Sequence, residues 1–340
     1  MRKLLLRIIG ALLALSVLVA VGCSQEAEPM NETTKAPEAA TEETTDAPAE
    51  TAAEARSRRD PEDMPLINPN AKARGDISYL AIGHSLNVNA TYYLYDFLKE
   101  AGYENVEVAV LYYSGCSLQQ HFDFFRKDEP AYRLYYNGKG NWVITEGYTM
   151  DMALRMKQWD YISFNTGVAG SAIPNSLEPH FTEVEKHVRQ FQPNAHFFWN
   201  SFWAMREEGE YQERFRERYS GGTQIDMYND ILDTTRVAMR THPDMEFLVP
   251  EGTAIQNMRT SRYGDGPLLI RDGGHLSYSV GYYLGAIVLA KSIADIDIDA
   301  STFIPEEFRE EFTDEVVHGL KAAAKDAFAD PWHVTENPYQ

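Results

Sequence analysis

A serine near the start of the folded part of the chain occupies a position suited to a nucleophile. In the stretch ISYLAIGHSLNVNATYYL, an apolar run over residues 77–82 stops at Gly83, and Ser85 follows two residues later. Open α/β sheets bind their ligands at the carboxyl ends of their strands, so Ser85 could attack a substrate there. The alternative is a strand-to-helix turn in which Gly83 permits an unusual backbone and Ser85 or Asn89 caps the helix.

A base that would activate this serine occurs near the other end of the chain. In LLIRDGGHLSYSVGYY, Asp272 precedes His275 by three residues, close enough for the carboxylate to orient the imidazole. In a Ser-His-Asp site the imidazole takes the serine proton, and the acid stabilises the imidazolium that forms. Gly115, in the loop YYSGCSLQQH, adds an unhindered amide that can face a reacting oxygen. An aspartate near a helix N-terminus is also common for electrostatic reasons alone, so the pair gains weight only together with Ser85.

Alternating strand and helix patterns place these residues in an α/β domain. Five apolar runs bounded by turn residues predict strands at 77–82, 106–111, 161–164, 196–200 and 245–249. Helical spacing predicts helices at 92–101, 150–158, 183–191, 225–239 and 280–293. This alternation indicates a mostly parallel sheet with helices on both faces. Residues 132–145, around Asn137-Gly138, predict a hairpin inserted into this domain, which spans residues 71–340.

These blocks resemble the SGNH hydrolase superfamily, the GDSL-type esterases, in a largely uncharacterised bacterial branch. Gly83-His84-Ser85-Leu86 is similar to the Gly-Asp-Ser-Leu block, Gly115 to the second block, and Asp272-Gly273-Gly274-His275 to the final Asp-x-x-His block. The resemblance implies a flavodoxin-like three-layer α/β/α sandwich with a mostly parallel five-stranded sheet. It also implies catalysis by Ser85, His275 and Asp272, an oxyanion hole that includes the Ser85 and Gly115 amides, and no metal or other cofactor.

Two positions depart from the pattern of that family. His84 replaces the aspartate usual before the nucleophile, and the third block, usually Gly-x-Asn-Asp, is FNTGVAGS here. Asn165 is the nearest candidate for the third oxyanion donor, or it simply ends a strand. Candidate substrate contacts are His84, Trp142, Asn257 and Arg259, the last two in a polar loop after the fifth strand. The alternative for these four residues is packing or stabilisation of a loop.

The first seventy residues carry signals for export. Residues 1–23 have a basic start, an apolar run and the ending Ala-Val-Gly-Cys, which resembles a bacterial lipoprotein signal with cleavage before Cys23 and acylation of Cys23. Residues 24–70 are rich in Ala, Thr, Glu and Pro, which predicts a disordered acidic tether. The formal net charge is −20 without a basic stripe, which argues against nucleic acid as a partner. We therefore expect an exported protein, anchored by lipid to a bacterial membrane and facing outward in the cell envelope.

Together these features predict a membrane-tethered serine esterase that removes a small acyl group, acetyl in the first instance, from a carbohydrate or another polar molecule. The expected partners are this glycan or small-molecule ester and the membrane, through Cys23. Trp142 and its hairpin would flank the Ser85 cleft and stack on sugar rings. One alternative is a non-catalytic surface carbohydrate-binding protein with a degenerate site, favoured by the altered third block. The other is a lipid acyl hydrolase.

Overall fold

A seven-stranded sheet forms the centre of the structure, a computed structural model that describes residues 60–71, 75–209, 216–264 and 266–339. The predicted signal, Cys23 and most of the predicted tether lie outside the described residues. The strands are β1 Ile77–Gly83, β2 Val106–Tyr112, β3 Tyr132–Asn137, β4 Val143–Tyr148, β5 Tyr161–Phe164, β6 His196–Asn200 and β7 Met245–Val249. The helices are α1 Ser85–Thr91, α2 Leu94–Glu100, α3 Leu118–Arg126, α4 Met150–Arg155, α5 Val168–Ser171, α6 His180–Phe191, α7 Gln224–Thr241, α8 Glu251–Arg259, α9 Val280–Ala294 and α10 Asp314–Ala329.

The order of the strands confirms the predicted fold class. The sheet runs β4-β3-β2-β1-β5-β6-β7, with β1, β2, β5, β6 and β7 parallel and the hairpin β3–β4 antiparallel to β2. The parallel strands alone follow the flavodoxin-like order 2-1-3-4-5, in which ligands bind beyond the strand ends where the order reverses. The sheet has seven strands and not the predicted five, because the hairpin pairs along β2 instead of projecting from the domain.

Helices cover both faces of this sheet. On one face, here called the α9 face, α9 contacts α1, α2, α8 and α10. On the other, the α6 face, α3, α4 and α6 contact one another, and α7 shares a hydrophobic core with α6. β1 is buried along its whole length, as expected for a central parallel strand covered on both sides. Within the described residues, no helix combines the length and the apolar character that crossing a membrane would require.

Most predicted helices match observed ones, with two changes near the site. The patterns at 150–158, 183–191, 225–239 and 280–293 correspond to α4, α6, α7 and α9. The pattern at 92–101 corresponds to α2, but a separate helix, α1, already begins at Ser85. Asn257 and Arg259 lie in α8 and not in a polar loop, which corrects the sequence prediction.

Residues 60–71 pack on the domain, so the tether predicted over 24–70 extends too far. The Leu248 amide of the outer strand β7 donates to Pro65 O at 2.9 Å, which covers part of the free edge of β7. Asn68 donates through Nδ2 to Tyr161 Oη at 2.8 Å, and Met64 is buried. The acidic composition of this segment concealed these few anchoring side chains.

Candidate active site

The turn between β1 and α1 presents Ser85 at the carboxyl edge of the sheet, as the first residue of a helix. A Cβ at Gly83 would lie only 2.0 Å from Asn87 Oδ1, so glycine is required there. That oxygen accepts a hydrogen bond from His84 N at 3.0 Å, and His84 Nδ1 accepts one from Leu86 N at 3.3 Å. The Ser85 amide makes no hydrogen bond to another described residue, so this helix-terminal donor remains available to a ligand.

The structure brings Ser85, His275 and Asp272 into one hydrogen-bonded chain. Ser85 Oγ lies 2.8 Å from His275 Nε2. His275 Nδ1 lies 3.0 Å from each carboxylate oxygen of Asp272. Because the carboxylate accepts from Nδ1–H, Nε2 is left to accept the serine proton, which is the tautomer that a general base needs.

The Asp272 carboxylate is held in its ionised form. Burial opposes ionisation, but the hydrogen bonds and charge of His275 and the nearby Arg271 outweigh it and lower the pKa of Asp272 to about 2. Arg271 Nε lies 3.4 Å from Asp272 Oδ2, and its guanidinium stacks over the Tyr278 ring at 4.3 Å. Asp272 Oδ1 also accepts from the His275 amide at 2.9 Å, which fixes the carboxylate beneath the imidazole.

Hydrogen bonds that the sequence analysis did not predict hold the Ser85 helix against the loop of Asp272 and His275. Asn89, one helical turn after Ser85, accepts a hydrogen bond from Leu276 N at 2.9 Å and so ties α1 to the histidine loop. From the segment after β6, Trp203 Nε1 donates to Gly274 O at 2.8 Å and Arg206 N donates to Gly273 O at 2.7 Å. The spacing of four residues could have shown that Asn89 and Ser85 lie on the same side of the helix. The segment after β6 has no comparable pattern that would predict its contacts with Gly273 and Gly274.

The candidate oxyanion donors follow three adjacent strands at the edge that carries Ser85. Gly115, in the loop after β2, has φ +61°, a conformation that glycine adopts without strain, and a Cβ there would meet open space. Its amide makes no hydrogen bond to another described residue. Asn165 directly follows β5, is 1% exposed, and donates through Nδ2 to Asn200 O at 2.9 Å. One hydrogen of that amide group therefore remains for another acceptor.

His84 directly precedes Ser85 but is fully buried. Its Nε2–H donates to Thr166 O at 3.1 Å, while Nδ1 accepts from the Leu86 amide. Burial, reinforced by the nearby His275, lowers the pKa of His84 to about 4. His84 is therefore a neutral cap that ties the turn after β1 to the loop after β5, and the structure does not present it as a substrate contact.

Trp142 is not brought to the triad. Because β3 runs antiparallel to β2, with Arg133 opposite Tyr112, the hairpin turn points to the edge of the sheet opposite Ser85. Trp142 Nε1 donates to Tyr92 O at 3.1 Å, and its ring stacks on the Tyr92 ring with centroids 6.0 Å apart. The expectation that Trp142 flanks the Ser85 cleft is therefore not retained.

Asn257 and Arg259 make structural contacts within the described domain. The Asn257 carboxamide donates to Ala323 O at 3.3 Å and accepts from Thr335 N at 2.8 Å. Arg259 Nη2 donates to Ala204 O at 2.7 Å, in the segment that contacts the Gly273-Gly274 turn. Within the described ranges, no group of three or more His, Cys, Asp or Glu side chains is arranged to hold a metal ion.

The packing of Trp142 predicts that Trp142→Ala lowers the melting temperature but leaves the KM for an acetylated oligosaccharide unchanged. The lost ring contacts stabilise α1 through Tyr92 and do not touch substrate. Thermal unfolding and initial-rate kinetics on the same preparation check both parts. A large increase in KM with an unchanged melting temperature would restore Trp142 as a substrate contact.

The depressed pKa of Asp272 predicts a specific acid sensitivity. A carboxylate whose pKa is lower in the folded state stabilises the fold above its ordinary pKa, near 3.8, and loses this contribution as the pH falls towards about 2. In urea titrations, the free energy of unfolding of wild type should therefore fall more steeply over that window than that of Asp272→Asn. Asp123→Asn, the same change on α3, should follow wild type. Equal slopes for wild type and Asp272→Asn would show that Asp272 is not held ionised by its neighbours.

Comparison with known proteins places the chain in a family. The family model described as "Domain of unknown function (DUF4886)" matches residues 78–327, and no curated protein matches. A crystal structure of a DUF4886 family protein from Bacteroides uniformis is similar over 77% of this chain and 98% of its own, with 28% identity and a TM-score of 0.70.

Two further solved structures show more distant similarity. A proposed SGNH hydrolase from Slackia heliotrinireducens aligns over 64% of this chain and 99% of its own, with 19% identity and a TM-score of 0.43. An acetyl xylan esterase aligns over 63% of this chain and 99% of its own, with 12% identity and a TM-score of 0.41. The chain belongs to the DUF4886 family.

Proposed function

We propose that this protein is a serine esterase that cleaves carboxylic esters through a covalent acyl-Ser85 intermediate. The observation that carries the proposal is the continuous chain of hydrogen bonds from Ser85 Oγ through His275 to Asp272, with each link between 2.8 and 3.0 Å. Nucleophile, base and orienting acid are thus within the distances that covalent catalysis requires. Ser85 and His275 are each 8% exposed, so the reacting atoms are sheltered but reachable.

In the first half-reaction, Ser85 Oγ attacks the carbonyl carbon of the ester while its proton moves to His275 Nε2. The Asp272 carboxylate stabilises the imidazolium that results. Collapse of the tetrahedral intermediate breaks the bond to the alkoxy oxygen, and the departing alcohol takes the proton from His275. In the second half-reaction, His275 takes a proton from water, the hydroxide attacks acyl-Ser85, and the carboxylic acid leaves as Ser85 regains its proton.

The negative charge on the tetrahedral oxygen would be stabilised by the backbone amides of Ser85 and Gly115, together with Asn165. Both amides follow neighbouring strands, and neither is engaged by another described residue. A pre-positioned donor of this kind contributes about 3 to 4 kcal/mol to transition-state stabilisation in serine hydrolases. Asn165 fits this role only if its second amide hydrogen points towards the substrate.

For the substrate we propose an acetylated carbohydrate or a similarly polar ester, presented to an exported domain that Cys23 anchors to the membrane. The hairpin places Arg133 and Glu146 at the same sheet edge as Ser85, where they form an ion pair and offer polar groups to a hydroxylated substrate. The net charge of −20 disfavours encounter with anionic lipids. The acetyl xylan esterase among the similar structures gives a precedent for acetyl removal on a related fold.

A non-catalytic carbohydrate-binding protein is the second candidate function. It is favoured by Asn165, whose amide group already donates to Asn200 O, and by the altered third block. The triad geometry favours catalysis, because a binding protein has no need of a serine hydrogen-bonded to an oriented imidazole.

The triad predicts strongly non-additive losses of activity. Ser85→Ala and His275→Ala should each lower kcat for an aryl acetate by about 10⁴-fold or more, and the double variant should be no worse, since the residues act as a unit. Initial rates with matched circular dichroism spectra measure this. Ser301→Ala, which removes a hydroxyl bonded to Glu100 far from the triad, serves as the control and should keep wild-type kcat. Substantial activity in Ser85→Ala would contradict the mechanism.

The substrate proposal predicts a preference for short acyl groups on polar acceptors. Measured on one protein preparation, the kcat/KM for an acetylated oligosaccharide should exceed that for a long-chain acyl ester, because the Arg133–Glu146 ion pair makes the sheet edge that carries Ser85 polar. Faster hydrolysis of the long-chain ester would favour the lipid acyl hydrolase alternative instead.

A further inference from the structure

Three polar side chains occupy the carboxyl ends of β5, β6 and β7, next to the strand that carries Ser85. Asn165, Asn200 and Glu251 are 1%, 2% and 0% exposed. Asn165 Nδ2 donates to the backbone oxygen of Asn200 at 2.9 Å, and Asn200 lies close enough to Glu251 to affect its ionisation. The three residues therefore form one buried cluster, here called the Asn-Asn-Glu cluster.

Five polar atoms of this cluster have no hydrogen-bond partner among the described residues. They are Asn165 Oδ1, both side-chain polar atoms of Asn200 and both carboxyl oxygens of Glu251. Buried polar groups are normally satisfied, and each exception lowers stability. Asparagine and glutamate are seldom fully buried, so three such side chains at adjacent strand ends, next to the strand that carries Ser85, point to a functional role.

Glu251 is more stable as a neutral acid than as a carboxylate in this environment. Burial raises the pKa of Glu251 well above its usual range, and Asn200 offsets only part of that effect. The N-terminus of α8 favours a negative charge, but a helix dipole is weaker than the desolvation of a fully buried carboxylate. On the sheet side, the buried Tyr79 phenol bonds to Ser163 Oγ and supplies no positive charge to Glu251. A protonated carboxyl group both donates and accepts hydrogen bonds.

The cluster is connected to the nucleophile through Asn165. The next residue, Thr166, accepts a hydrogen bond from His84 Nε2 at 3.1 Å, and His84 precedes Ser85. On the other side, Gly252 N donates to Ser201 O at 2.6 Å, which ties the start of α8 to the end of β6. A change in the orientation of Asn165 would therefore be felt at the turn that carries Ser85.

We infer that Glu251 is a positioning residue, a neutral acid that orients the Asn165 amide towards the oxyanion through Asn200. In the proposed arrangement the protonated Glu251 hydroxyl supplies the donor that Asn200 Oδ1 lacks, and Asn200 Nδ2 donates to Asn165 Oδ1, so that these atoms satisfy one another. This fixes the rotation of the Asn165 carboxamide, so that one hydrogen of Nδ2 stays on Asn200 O and the other faces the tetrahedral oxygen. The inference rests on the proposed esterase function and assigns the third oxyanion donor that the altered sequence block left open.

Two substitutions at Glu251 separate this role from a merely structural one. Glu251→Gln keeps a side chain of the same shape that donates and accepts, so kcat for an aryl acetate should stay within about 3-fold of wild type. Glu251→Leu removes the hydrogen bonds and should lower kcat roughly 10- to 100-fold with little change in KM, less than the loss of a direct oxyanion donor. Its free energy of unfolding should also fall, because Asn200 Oδ1 is left buried without a donor.

The matched control is Glu107→Leu, the same change at the opposite edge of the sheet, where Glu107 pairs with Lys157. This variant should keep wild-type kcat. Infrared difference spectra of wild type against Glu251→Gln should show the carbonyl band of a protonated carboxylic acid. Wild-type kcat in Glu251→Leu, equal losses in Glu251→Gln and Glu251→Leu, or absence of that band would overturn the inference. If wild type itself cleaves no ester, the proposed function fails instead, while the infrared result still reports on the state of Glu251.

Discussion

The hydrogen bond between Ser85 Oγ and His275 Nε2 joins segments 190 residues apart, and the proposed function depends on keeping it near 2.8 Å. Its two ends are carried by α1 and by the loop that precedes α9, so the distance depends on how closely these helices pack. A Cβ on Gly285 would lie 3.1 Å from Ala90 Cα, which shows that α9 approaches the backbone of α1. Asn89 then bonds directly to the histidine loop, so packing and polar contacts set the same distance.

The topology of the sheet supplies the remaining groups. Because strand order reverses around β1, the loops after β2, β1 and β5 open at one edge, and these loops carry Gly115, Ser85 and Asn165. The segment after β6 and the start of α8 contact this edge of the sheet through buried polar groups. Asn200 and Glu251 place buried polar groups there instead of apolar packing, which fits the pre-organisation that the proposed esterase reaction requires.

The sequence predicted the parallel strands well, and it identified Ser85, Asp272 and His275, which the structure brings within hydrogen-bond distance, because both predictions depend on local pattern. Apolar runs and turn residues mark the strands, and Asp272 lies within reach of His275 along the chain. What the sequence could not predict were partners set by tertiary packing. Alternating residues predicted the hairpin but not that it would pair along β2, which turns Trp142 away from Ser85.

The same limit explains the other differences. Histidine is not a favoured helix cap, so nothing in the sequence indicated that His84 would cap α1 and bond to Thr166. Gly252 lowers the helix propensity at the start of α8, so the sequence predicted a polar loop at Asn257 and Arg259. Glu251 gave no signal at all, because a lone glutamate after proline is usually a solvated helix start.

Labelling with a fluorophosphonate, followed by mass mapping of the modified peptide, tests the central claim most directly. The probe reacts with a serine only when that serine is activated as a nucleophile, so labelling reports on chemistry without knowledge of the substrate. The account predicts one adduct, on Ser85, which is absent in Ser85→Ala and forms far more slowly in His275→Ala. An adduct on a different serine, or no adduct on the folded wild-type protein, would contradict it.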